Sequence, residues 1–277
     1  LQEFNDMINS ATGENREQLT RSMHYVMMQL VSHYAPKSPI AEAYRTLRTN
    51  ILAHKGESSI AILITSSGPK EGKSTTIANL AVTFAQMNSK VLLMDMDLRR
   101  PTLHNKFDLE KENGTSDFLI DPEVSVDQVI KPTGIQNLDV ITSGFIPPNP
   151  SELIASPRTD VLLEELKSRY DYVLVDSPPL IAVTDALILT KKVDMTYLVV
   201  RCGFTDKGII KRTKELMNNI EGRIDGIIVN GIYVQKYYSK QNYYYYYYYY
   251  YYYYGEEVPQ KQKRNVNRFL RKNKSIS

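Results

Sequence analysis

The sequence predicts an α/β domain built on a doubly wound, mostly parallel sheet with helices on both faces. Short apolar runs alternate with helical segments along most of the 277 residues. One run leads into Gly72-Lys73-Ser74-Thr75, and two others end in aspartate. Short apolar strands joined through helices suit a parallel sheet covered on both sides. Such a sheet binds its ligands beyond the carboxyl ends of the strands.

Residues 1–35 read as an N-terminal extension in which Leu19, Met23, Val26, Met27 and Leu30 recur near helical spacing, as in a packing helix. Pro36 and Pro39 mark a boundary. The helix expected from Ile40 has Ile40, Tyr44, Leu47 and Ile51 as its apolar stripe, with Glu42, Arg45 and Arg48 on another face. That charged stripe is either solvated or paired with a neighbour.

The main domain, residues 36–234, then alternates. The spacing predicts a strand Ile60 to Thr65, a helix from Lys73 to about Met87, and strands Val91 to Asp95 and Leu138 to Thr142. A helix near Thr159 to Ser168 precedes strands Tyr172 to Asp176 and Thr196 to Arg201. A helix around Ile209 to Ile220 and a strand Gly226 to Asn230 complete it. Residues 235–277 lose all periodicity and read as a mobile tail.

The bulk composition, 42% hydrophobic and 23% charged, is that of a globular protein. A net charge of only +3 speaks against nucleic acid as a partner. The one cysteine, Cys202, excludes an intrachain disulfide and, at the end of an apolar run, is expected to be a buried structural thiol in a reducing compartment. Four scattered histidines form no metal-ligand spacing. No run reaches the roughly 18 apolar residues of a membrane helix. The chain by itself is therefore expected to be soluble, and the single cysteine fits a cytoplasmic setting.

The chemistry concentrates at three strand ends. The strand from Ile60 runs into Ser66-Ser-Gly68-Pro-Lys70-Glu71-Gly72-Lys73-Ser74-Thr75, the strand-loop-helix setting of a phosphate-binding loop. Backbone N–H groups there cradle phosphates, Lys73 neutralises β/γ oxygens and the Ser74 hydroxyl holds Mg²⁺. Position 67, where the usual pattern has its first glycine, is serine. Gly68, Lys70, Glu71, Gly72, Lys73, Ser74 and Thr75 are the expected nucleotide-binding residues. Asp95 and Asp97 stand two apart past a buried strand, so both are expected to face one phosphate site, one on Mg²⁺ and one as base. The pattern leaves open which is which, and Asp95 is taken as the metal ligand beside Ser74. Asp176, ending a third strand, is expected to order the metal's water. ATP and Mg²⁺ are the implied cofactors.

Near the C-terminus stand twelve consecutive tyrosines: Tyr243, Tyr244, Tyr245, Tyr246, Tyr247, Tyr248, Tyr249, Tyr250, Tyr251, Tyr252, Tyr253 and Tyr254. A basic segment follows, with Val266, Phe269 and Leu270 at helical spacing among Lys and Arg, a candidate for membrane-surface contact.

Over about residues 36–254 the chain resembles the bacterial tyrosine kinases, a family unrelated to eukaryotic kinases. Gly72-Lys73-Ser74 is similar to its Walker A motif, Asp95-Met-Asp97-Leu-Arg99 to its Asp-x-Asp-x-Arg motif, and Asp176-Ser-Pro-Pro to its Walker B motif. Glu42-Ala-Tyr-Arg45-Thr-Leu-Arg48 resembles its oligomerisation helix, Asn149-Pro-Ser-Glu-Leu153 one of its loops, and the tyrosine run its C-terminal cluster. The resemblance implies a P-loop fold related to the partitioning and positioning ATPases. It also implies autophosphorylation of Tyr243–Tyr254 between subunits of a homo-oligomeric ring formed through Glu42, Arg45 and Arg48. The family's task is control of capsular or extracellular polysaccharide synthesis and export. Implied partners are a membrane adaptor of the polysaccharide co-polymerase type, which would hold the kinase at the inner face of the cell membrane, and a tyrosine phosphatase. Residues 1–35 are then either a native extension or an adaptor-like activating segment.

Two rivals stand beside this reading. A partitioning-type ATPase without kinase activity shares the fold, but its signature lysine would fall at position 68, which is Gly68. A non-catalytic interaction protein with an aggregation-prone tail leaves the acidic motifs unexplained.

Overall fold

The computed structural model describes residues 29–54 and 59–232. The expected helix across Leu19–Leu30 lies almost wholly outside the described residues, as do the tail, the tyrosine run and the basic segment. Seven strands form one sheet: β1 Ile60–Ser66, β2 Val91–Asp95, β3 Ile130–Pro132, β4 Leu138–Ile141, β5 Tyr172–Asp176, β6 Met195–Arg201 and β7 Gly226–Asn230. Their spatial order is β3-β4-β2-β5-β1-β6-β7. Every pairing is parallel except β3 with β4. The doubly wound, mostly parallel architecture is therefore the one observed.

The long helices are α2 Pro39–Leu52, α3 Lys73–Ala85, α8 Pro157–Arg169 and α10 Lys207–Asn219. Short helices fill the connections: α1 Val31–Tyr34, α4 Leu103–Phe107, α5 Thr115–Ile120, α6 Val126–Val129, α7 Pro150–Ala155 and α9 Asp185–Leu189. Alternation along the strands divides the core in two. Ile60, Ile62, Ile64, Leu93 and Leu174 face Leu80, Phe84 and Ile51 of α3 and α2. Ala61, Leu63, Leu92, Met94 and Val175 face Leu162, Leu166 and Ile154 of α8 and α7.

In α2 the Ser38 hydroxyl caps the Ala41 N–H at 3.2 Å and Pro39 stands at the first helical position, as both residue types favour. Its inward face is shifted from the expected stripe. Ala41 and Ile51 are buried and Leu47 packs on the core, whereas Ile40 is exposed. The cap sets the helix phase, turning Ala41 inward and leaving Ile40 on the rim. Residues 29–35 lie on α3: the Ser32 N–H donates to Asn79 Oδ1 at 2.9 Å, and Asn79 Nδ2 donates to the Gln29 carbonyl at 2.8 Å.

Candidate functional site

The order of the strands brings the three motifs together. β5 lies between β1 and β2, so the ends of all three are neighbours. Asp95 and Asp176 are register partners, and Asp176 in turn pairs with Ile64 near the end of β1.

Beyond β1 the chain turns through residues 67–72 into α3. Lys70 has φ +63° and Gly72 φ +93°. A Cβ on Gly72 would lie 2.2 Å from Asn230 Nδ2, so the turn needs glycine there. The first helical bond runs from Thr76 N–H to the Gly72 carbonyl, 2.9 Å. The N–H groups of Lys73, Ser74 and Thr75 therefore precede the helical ladder. With the positive end of the helix dipole they make an anion cradle.

The loop is braced by residues at and just past the ends of β6 and β7. Glu71 is only 2% exposed. Its carboxylate accepts from Ser67 N–H at 2.9 Å and from the Thr205 hydroxyl at 2.7 Å. Asn230, ending β7, donates to the Glu71 carbonyl at 2.9 Å, and Arg201 donates to that of Lys70 at 3.3 Å. The side chain of Glu71 thus shapes the loop from behind and does not face the cradle. Lys70 is exposed on the rim, and Gly68 accepts the Ser66 hydroxyl on its carbonyl at 2.7 Å.

Lys73 reaches over the strand ends. Its Nζ donates to Asp97 Oδ2 at 2.9 Å and to Ser74 Oγ at 3.1 Å, and lies 3.6 Å from Asp176 Oδ1. The two aspartates of the second motif have different surroundings. β2 ends at Asp95, so the alternation of a strand no longer aligns Asp97 with it. Asp95, fully buried, accepts from three backbone N–H groups: Asp97 at 3.1 Å on one oxygen, Thr102 at 3.2 Å and Leu103 at 3.1 Å on the other. Asp97 is the acid that meets Lys73. Asp97 reaches Lys73, whereas the oxygens of Asp95 are taken by the N–H groups of the following loop. Burial first, and Asp176 beside it second, push the Asp95 carboxyl up to about 7. Burial also raises Asp176, opposed by Lys73. Neither oxygen of Asp176 has a hydrogen-bond partner among the described residues.

Sequence reasoning passed over two residues. Asp185, fully buried, pairs with Arg99 through Nε at 2.8 Å and accepts from Ser151 Oγ at 2.6 Å. The Arg99 of the second motif thereby ties the loop after β2 to α7 and α9. Lys106 on α4 donates to Thr75 Oγ1 at 2.9 Å and to Gln29 Oε1. Nothing in the sequence singles out Lys106.

The family model described as an AAA domain matches residues 59–225. Tyrosine-protein kinase YwqD of Bacillus subtilis (strain 168) is 44% identical over 203 residues, covering 73% of this chain and 85% of that protein. The chain belongs to the bacterial tyrosine-protein kinases.

Two further likenesses agree. The putative tyrosine-protein kinase CapB of Staphylococcus aureus is 39% identical over 215 residues, 77% of this kinase and 94% of that protein. The crystal structure of the chimerical protein CapA2B2 superposes with a TM-score of 0.70 at 40% identity, covering 74% of this chain and 90% of that one. The enzyme class is thus a tyrosine-protein kinase that holds nucleotide in a P-loop, and the bare-ATPase reading falls.

The expected outward faces of this kinase are only partly realised. Glu42 and Arg45 pair with each other at 2.7 Å, and Arg45 also donates to the Pro36 carbonyl at 2.8 Å. Arg48 instead turns inward, donating to the Thr83 carbonyl of α3 at 2.5 Å. Cys202 is half-buried at the turn after β6, where a buried thiol was expected. Among the described residues no helix is long and apolar enough to cross a membrane.

Proposed function

We propose that this kinase transfers the γ-phosphate of Mg·ATP to the tyrosines of the 243–254 run on a neighbouring copy, in the control of capsular or extracellular polysaccharide synthesis. The observation that carries the reading is the placement of Lys73 between Asp97 and Asp176 above the anion cradle. The fully buried carboxylate of Asp176, paired only at 3.6 Å with Lys73 and with neither oxygen in a close hydrogen bond among the described residues, suits a hydrated divalent cation, which usually binds one or two carboxylates and keeps several waters. Ser74 and Asp176, with Asp95 behind them, would hold Mg²⁺, and when bound the ion neutralises charge on the β- and γ-phosphates.

The chain's own groups do the rest. Lys73 draws charge from the transferring phosphoryl oxygens. Asp97 accepts the phenol proton as the tyrosine oxygen bonds to phosphorus and the bond to the bridging oxygen of ADP breaks. Glu71, Thr205 and Asn230 keep the loop rigid while charge develops. Glu42 and Arg45 would join the ring. A membrane adaptor would bring the kinase to the inner face of the membrane, and a tyrosine phosphatase would reverse the modification.

The reading is tested with purified protein and radiolabelled ATP. Label should enter the tail of the natural chain and vanish in Lys73→Met. A Lys73→Met tail that labels as before overturns it.

A further inference from the structure

A second lysine stands beside the anion cradle, outside every motif. α4 begins where Asp95 accepts the Thr102 and Leu103 N–H groups, so the carboxylate at the end of β2 fixes the start of this short helix. One turn on, Lys106 projects back to α3 and donates to the hydroxyl of Thr75 at 2.9 Å. Thr75 is the third residue of α3, and its N–H belongs to the cradle.

The surroundings of this ammonium are unusual. Its two contacts, Thr75 Oγ1 and Gln29 Oε1, are neutral oxygens, and it makes no ion pair among the described residues. Partial burial lowers its pKa, and the fields of Asp176, Lys73 and Asp95 all reach it. A partly buried cation with only neutral contacts lacks the counter-charge that desolvation calls for. Thr75, whose hydroxyl it meets, also carries one of the cradle's N–H donors, which select an anion as well.

We propose that Lys106 is a second cationic ligand of the nucleotide phosphates, binding a phosphate oxygen on the Thr75 side of the loop while Lys73 serves the side of the acids. Asp95 is then a positioning residue for Lys106, acting through the start of α4. The proposal rests on the reading of this loop as the nucleotide site.

The test is binding of ATP, ADP and adenosine by calorimetry on the full-length chain, without turnover. Lys106→Met should weaken ATP and ADP about tenfold or more, as expected for a lost charged contact, and leave adenosine unchanged. Lys106→Arg should restore part of the loss. Thermal unfolding without nucleotide shows that each variant is folded. Natural ATP affinity in folded Lys106→Met overturns the inference, and so does an equal loss for adenosine. Lys73→Met in parallel separates the two readings. If it too binds ATP with full affinity, the loop is not the nucleotide site. If it alone is weakened, only the role of Lys106 falls.

Discussion

Asp95 and Asp97 differ by two positions and by everything around them. Asp95→Asn puts an amide, with one acceptor oxygen, where a carboxylate takes three N–H donors. We expect a loss of about 1–3 kcal/mol of stability, seen as a lower midpoint in thermal unfolding. Asp97→Asn removes the nearest counter-charge of Lys73, so it should also lower the midpoint, but it alone should cut tyrosine phosphorylation by roughly 10²–10⁴-fold. A pH dependence follows from the same carboxyl. Asp95 is held up to about 7 against an unfolded value of 3.8. The folded state therefore carries the extra proton between those values, so nucleotide-free stability should fall as pH rises through the window and level off above about 7. Asp176, raised as well, adds to the same slope. Denaturant titrations at pH 5 and pH 8 check it, and a slope of opposite sign would refute the assignment.

At the scale of elements, α2 divides its charged motif between two jobs. Arg48→Ala removes the bond to the Thr83 carbonyl and the packing of its stem, and should cost about 1 kcal/mol of stability. The exposed Glu42–Arg45 pair contributes little to folding, so Arg45→Ala should leave stability within about 0.5 kcal/mol while shifting the assembly state in light scattering. Gly72→Ala should lower both stability and nucleotide affinity, because its Cβ would displace Asn230 from the loop. The strands were the most legible elements. Val91–Asp95, Tyr172–Asp176 and Gly226–Asn230 have the bounds the sequence predicts, since each apolar run stops at a polar residue. β3 was not legible, because Ile130-Lys-Pro132 is too short for alternation to register. The short helices α4, α5, α6, α7 and α9 give periodicity no room, and Lys106 and Asp185 were overlooked with them. A lysine becomes notable only once tertiary packing shows what it lacks.

For the whole molecule, the site is a product of strand order more than of any one motif. Walker-type loops and acidic strand ends are readable one at a time. That β5 inserts between β1 and β2, placing Asp176 beside Asp95, is a long-range pairing that local spacing does not encode. Truncation at residue 234 should leave nucleotide affinity in place and abolish labelling of the truncated chain itself, while that chain still labels the tail of a full-length Lys73→Met partner. If the proposed ring forms, size measurements before and after phosphorylation should show it loosening, since each phosphate adds about −1.5 to −2 charge to a single crowded run.

The bond from Asn230 to the phosphate loop sets a kinetic constraint. It roots the C-terminal segment at the nucleotide site itself, with Tyr243 eleven residues past Ile232. Eleven residues span at most about 36–40 Å, a reach that would give a subunit's own tyrosines an effective concentration of about millimolar order at its site. Transfer within a subunit is then a first-order channel competing with transfer to a neighbour. Labelling rate per subunit should fall on dilution only to the extent that transfer between copies carries it. On the proposed reading, assembly would supply direction of approach more than proximity.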